Sequence, residues 1–339
     1  SSTNGFTVTE TGSVVQGSFS PYGDNWSNNF NSSNEKLDFT PSFSLGSNDF
    51  TIEMWVNPSA ASAGSLESFF WLESGGSDFL VFRINNSNNE GLEFRVYDGN
   101  NKVFLTQGSD YLENGEWVHV AATKSGSTYN FFVNGTSLGT ATYATALTSY
   151  SNGHIGAWTS VSQDYAGYIS NVRVVNGTAL YTSNFTPPTS YLTAVTNTVL
   201  LTCQSNRFVD NSSSPHTLTL GETPQVTPFS PFKDDDARDI TVDGGSGYFS
   251  GAKLDVGSAS DFAFGTGDFT VDAWVYLSSD VTTSIFNVGG ASSGSFGFYY
   301  NASTKEFEFV RYGDAAGSGQ SSAQSAVGQW FHLRGIRSG

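Results

Sequence analysis

Trp158, Asp164 and Tyr165 bracket one polar loop, Thr159 to Asp164, and they are the residue types with which a protein holds a sugar. A ring stacks on the apolar face of the sugar while carboxylates and amides take its hydroxyls. Trp26, just after Tyr22-Gly-Asp24, is the second candidate platform. Packing competes for the same rings, because most of the 28 Phe, 15 Tyr and 7 Trp must fill cores. Other chemistries find less support. Retaining glycoside hydrolysis needs two carboxylates ~5 Å apart, and Glu53 is alone on its face of the segment Phe50–Val56. Four His and one Cys argue against a zinc site. Cys203 ends the strand-like run Val199–Cys203 and reads as a buried, inert thiol. The run Asp234–Asp236 with Asp239 has the chemistry to chelate a cation and reads equally as a solvated acidic turn.

The charge balance narrows the partners. A net charge of −17 with 14 basic residues and no basic cluster leaves nothing to displace counterions from a phosphate backbone, so nucleic acid is excluded as a direct ligand. The charged fraction of 13% is about half the usual share, so the polar surface is Ser, Thr, Asn and Gly. No apolar run reaches the ~18 residues of a membrane helix, and membrane insertion is not expected.

The elements that must position these residues are strands. Short alternating runs recur between Gly, Asn and Ser clusters, with little helical periodicity. Phe50, Ile52, Met54 and Val56 share one face; Thr51, Glu53 and Trp55 share the other. Asn134–Gly135 supplies the positive φ angles of a type I′ hairpin. Gly153–Trp158 and Tyr165–Val175 close the domain, and Gly177–Tyr181 reads as a helical turn. The same set then returns. Asp49–Val56 (DFTIEMWV) matches Asp268–Val275 (DFTVDAWV), and Gly115–His119 matches Gly328–His332. The chain therefore reads as an all-β tandem repeat of antiparallel sandwiches. Residues 1–18 are the end of a preceding connector, 19–192 a first domain, 193–242 a partly β connector with four prolines, and 243–339 a second domain that stops early. This pattern predicts a longer tandem array and an intact mass above 36.2 kDa.

Phe50–Val56, Gly115–Thr123, the hairpin Tyr129–Thr140, and Gly153–Trp158 with Tyr165–Pro188 together resemble the laminin-G-like, concanavalin-A-like jelly roll. The connector blocks Leu200–Thr219 and Thr227–Phe232 resemble linkers between such domains in fibre and virion structural proteins of tailed phages, marine ones especially. The resemblance implies a non-catalytic, virion-associated or extracellular fibre or decoration protein that adheres to host-surface glycans. Its other subunits, in a homo-oligomer, would be its protein partners. The glucanase branch presents alternating acids on one strand, and no Glu-x-Asp-x-Glu run exists here. His119 and His332 fall where that family has packed sheet. Calcium is the one cofactor the resemblance suggests, at Gln163 and Asp164, where pentraxin-like relatives place acidic ligands. Two alternatives stay open: an architectural spacer with no ligand, and binding modules attached to a polysaccharide-degrading enzyme.

Overall fold

The computed structural model describes residues 9–11, 14–17, 25–31, 34–59, 66–75, 78–85, 91–107, 116–158, 163–222, 224–227, 246–251, 253–255, 264–265, 267–289, 295–311, 319–323 and 327–338. It forms two compact units, Asp24–Lys233 and Ser1–Gly23 together with Asp234–Gly339. Among the described residues there is no α-helix, and Gly177–Tyr181 is irregular rather than helical.

The first unit is a sandwich of two antiparallel sheets. One runs Thr136–Thr142, Thr128–Val133, Val118–Ser125, Phe50–Pro58, Ala166–Asn176, Ser27–Asn31, Gln225–Thr227, with Thr198–Thr202 also paired to Ala166–Asn176. The other runs Thr219–Gly221, Lys36–Phe39, Asn152–Ile155, Leu66–Glu73, Asp78–Asn85, Gly91–Asp98, Asn101–Gln107. Strand alternation explains the layers. Phe50, Ile52, Met54 and Val56 are fully buried, as are Phe70, Leu72, Leu80 and Phe82 from the opposite sheet. Phe131 of the first sheet meets Phe82 and Phe94 of the second at 6.0 and 6.1 Å between ring centres. Each such ring contributes about 1.5–3 kcal/mol when fully buried.

Two local devices shape this frame. Asn134 (φ 48°) and Gly135 (φ 75°) form the hairpin turn with both φ positive, as type I′ requires. A bulge in Ala166–Asn176, between Ser170 and Arg173, sets two residues opposite Met54 alone. Asn171 takes the left-handed conformation there (φ 55°), and its side-chain Oδ1 accepts the Leu192 N–H at 2.6 Å. The extra residue turns Arg173 onto the outer face beside Glu53.

The segment after residue 192 is less of a free connector than its prolines suggest. Thr198–Thr202, Thr219–Gly221 and Gln225–Thr227 all hydrogen-bond into the two sheets of the first unit. Likewise Thr9–Thr11 and Val14–Gly17 pair with Lys253–Asp255 and Ser246–Phe249 in the second unit.

In the second unit Phe269–Tyr276 pairs with Trp330–Arg337. Thr283–Val288, Phe296–Asn301, Glu306–Arg311 and Gly319–Gln320 form a four-stranded sheet. Phe298, Tyr300, Phe307 and Leu333 make its buried cluster. The repeat is visible in contacts: Trp274 faces His332 at 5.1 Å as Trp55 faces His119 at 5.2 Å.

Candidate functional site

The outer face of the seven-stranded sheet in the first unit carries the richest chemistry. On Leu66–Glu73, Asp78–Asn85 and Gly91–Asp98, the residues between the core positions point outward: Trp71 and Glu73, Phe79 and Arg83, Glu93, Arg95 and Tyr97. Cross-strand register sets Phe79 opposite Tyr97 and Glu73 opposite Phe79. The result is a ladder of four stacked rings. Trp158 lies on Trp71 (4.9 Å, 24°), Trp71 on Phe79 (4.6 Å, 29°) and Phe79 on Tyr97 (4.9 Å, 10°). This is the ordinary spacing between strands, so the sheet itself sets the repeat. At the Tyr97 end, the Arg95 guanidinium sits 4.8 Å from the Tyr97 ring centre and 5.8 Å from that of Phe104.

Trp158 forms the other end. Its Nε1–H donates to Glu73 Oε2 at 2.9 Å, and the ring is half-buried. From Glu73 a polar chain crosses three strands. Glu73 Oε1 is 3.8 Å from His154 Nε2, His154 Nδ1 meets Asp38 Oδ1 at 2.6 Å, and Asp38 Oδ2 is 3.2 Å from Lys36 Nζ. Burial pushes the Asp38 carboxyl up, but the hydrogen bond and charge of His154 and the neighbouring Lys36 outweigh it and hold the group below its usual range. His154 Nε2 is buried with no hydrogen-bond partner among the described residues.

The residues expected from sequence divide sharply. Trp158 is half-buried and stacks on Trp71. Tyr165 is fully buried, packs edge-on against Phe69 at 5.6 Å, and donates its hydroxyl hydrogen to the Tyr168 carbonyl at 3.2 Å. Burial raises its phenol well above the usual range. Trp26 is 1% exposed and belongs to the core. Both lie on core-facing positions that an aromatic-rich sequence does not distinguish from platforms. Gln163 and Asp164, the pair expected to hold calcium, are partly engaged by the protein itself. Gln163 Oε1, the oxygen a cation would need, accepts from Ser68 Oγ at 3.1 Å and Arg83 Nη1 at 3.4 Å, and the guanidinium would repel an ion. Asp164 Oδ2 accepts the Asn34 N–H at 3.2 Å, and only its Oδ1 is without a partner among the described residues. Among the described residues no three or more His, Cys, Asp or Glu side chains gather to hold a metal. Asp234–Asp236, Asp239, Tyr22, Asp24 and the loop 159–162 lie outside the described residues.

Two further clusters have the ingredients of catalysis. On the outer face of the eight-stranded sheet, Glu53 is not alone. Its Oε1 accepts from Arg173 Nε and Nη2 at 2.9 and 2.6 Å, and its Oε2 meets Tyr181 Oη at 2.9 Å and His119 Nε2 at 3.2 Å. Glu53 and His119 are fully buried. Burial pushes Glu53 up, but the hydrogen bonds and charges of His119 and Arg173 prevail and lower it. A carboxylate held this way, with no solvent path, is a structural clamp that fastens the segment around Tyr181 to the sheet. Near the edge of the other sheet, Ser42 Oγ is 3.0 Å from His216 Nε2 and His216 Nδ1 is 2.7 Å from Asp210 Oδ2. The order is that of a nucleophile, base and acid, but the Ser42 backbone N–H also donates to His216 Nε2 at 3.0 Å. Asp210 in turn accepts the N–H groups of Leu201, Ser212 and His216. The base's lone pair is already engaged and the group reads as a latch that pins the 198–222 segment.

A laminin-G family model, described as the concanavalin A-like lectin/glucanases superfamily, matches residues 31–181 and 243–339, most of the chain. The chain belongs to the concanavalin A-like lectin/glucanase superfamily. Solved structures that match the chain do so at low identity. A candidate carbohydrate-binding protein from Bacteroides ovatus is 16% identical with a TM-score of 0.47, covering 61% of this chain and 60% of that one. A heptameric pentraxin from Limulus polyphemus is 12% identical, TM-score 0.39, covering 60% of this chain and 94% of that one. Domains LG4-5 of the mouse laminin α1 chain are 12% identical, TM-score 0.40, covering 96% and 75%. No curated protein sequence matches the chain. Sequence reasoning missed the ring ladder; its one trace in this chain is that Trp71, Phe79 and Tyr97 share strand parity with the polar Glu73, Arg83 and Arg95, which does not by itself say which face is free.

Proposed function

We propose that the chain is a non-catalytic glycan-binding protein of a virion surface or other extracellular structure, and that its first unit holds sugar at Trp158. One observation carries this reading. Trp158 is a half-buried ring locked by a stack on Trp71 and a hydrogen bond to Glu73, beside a line of polar groups on the same face. Such a ring is already ordered, so binding loses little side-chain freedom. Two of the buried acids are committed to structural pairs: Glu53 to Arg173, His119 and Tyr181, and Glu93 to Arg83 at 2.7 Å and Asn85 at 2.7 Å. Repeated modules and homo-oligomerisation would raise avidity from weak individual sites, which suits a fibre or decoration protein adhering to a host surface.

The test is a glycan array with the full chain, run with added calcium and again with a chelator. Binding that is calcium-independent and lost in Trp158→Ala, with thermal stability retained, is the expected result. An array signal that Trp158→Ala leaves intact would remove the platform from this role.

A further inference from the structure

The charges around Trp158 point to the class of sugar. Glu73 and Asp38 flank the site with carboxylates, and the one ammonium in the chain of contacts, Lys36, is paired to Asp38 at 3.2 Å. The two guanidiniums on this face are spoken for. Arg83 is 2.7 Å from the fully buried Glu93, and Arg95 lies over the Phe79, Tyr97 and Phe104 rings and 4.0 Å from the same Glu93 oxygen. A ligand carboxylate or sulfate would meet acceptors where it needs donors. The overall charge of −17 adds long-range repulsion.

Hydroxyl groups, by contrast, fit. Asp38 and Lys36 stand side by side on one face of Lys36–Phe39, partly exposed, as an acceptor next to a donor. That is the complement of two adjacent hydroxyls, one donating and one accepting. His154 supplies a second, independent pointer. The residue is 95% buried with its Nε2 unpartnered among the described residues, 3.8 Å from Glu73 Oε1. That gap is too long for a hydrogen bond and short enough for one shared hydroxyl oxygen to span. We infer that the Trp158 site selects neutral sugars with adjacent hydroxyls and rejects carboxylated or sulfated ones, an inference that rests on the glycan-binding reading above.

The experiment uses the full chain on an array in which each neutral oligosaccharide is paired with its carboxylated or sulfated counterpart. Neutral members are expected to bind at least about tenfold tighter, since like charges brought together oppose binding strongly. Asp38→Asn and Glu73→Gln, which keep shape and remove charge, should narrow that ratio. Acidic members binding as tightly as neutral ones, or a ratio unmoved in both variants, would overturn the inference while leaving glycan binding in place. If no member binds, or Trp158→Ala changes nothing, the site reading itself falls and the sugar class with it.

Discussion

Replacing Arg173 by Met tests the energetic logic of the clamp under Tyr181. The substitution removes both hydrogen bonds from Arg173 to Glu53, 2.6 and 2.9 Å, and leaves a fully buried carboxylate facing only His119 and Tyr181. Breaking one side of a buried ion pair costs about 3–5 kcal/mol, because the surviving charge stays desolvated. Arg173 Nη1 also holds the Thr193 carbonyl at 2.9 Å, so the cost should fall toward the upper end. Urea unfolding of the full chain, followed by tryptophan fluorescence, reads the shift in the midpoint at constant slope. Adding Glu53→Gln to Arg173→Met should recover part of the loss by removing the stranded charge. The second unit provides a control. Asp272 pairs with Arg334 at 3.3 Å, but both side chains are about half exposed, and Asp272→Asn should change stability by no more than about 0.5 kcal/mol. An Arg173→Met penalty under about 1 kcal/mol, or a double variant worse than the single, would refute the argument.

Other outcomes can be stated briefly. Stability should hold from neutral pH down to about pH 4 and fall below it: Glu53 and Asp38 are depressed in the folded state, so their contribution exists above the unfolded carboxylate range and disappears as pH drops through the folded one. A melting temperature measured against pH checks this. Gly135→Ala should destabilise by at least about 1 kcal/mol, since φ is +75° and a Cβ would lie 1.9 Å from the Phe185 carbonyl oxygen; thermal melts report it. Burial pushes the Cys203 thiol up to about 12, so a thiol reagent at pH 8 should label it only after denaturant is added.

The sandwich was legible because Phe50–Val56 alternates cleanly and Asn134–Gly135 has one good conformational use. The site was less so. On Leu66–Glu73 and Asp78–Asn85 both faces are apolar, with Phe70 and Leu80 inward and Trp71 and Phe79 outward, so alternation carries no sign of which face is free. Arg173 reaches Glu53 only through the bulge at Asn171, and strict alternation cannot anticipate an inserted residue. Trp26 and Tyr165 have the same side-chain chemistry as Trp158. Burial alone separates them, and burial is a tertiary property.

The edges of the sandwich have a practical consequence for anyone cutting the gene. Gln225–Thr227 covers Ser27–Asn31, and Thr219–Gly221 covers Lys36–Phe39. A fragment ending at Pro188, where the family-like pattern stops, would uncover both, along with the half of Ala166–Asn176 that Thr198–Thr202 occupies. Bare strands of that kind recruit strands from other molecules, so such a fragment should precipitate or self-associate. One extended to Lys233 brings its own edge guards, and its solubility would come from residues 189–233, which look, in the sequence, like a tether.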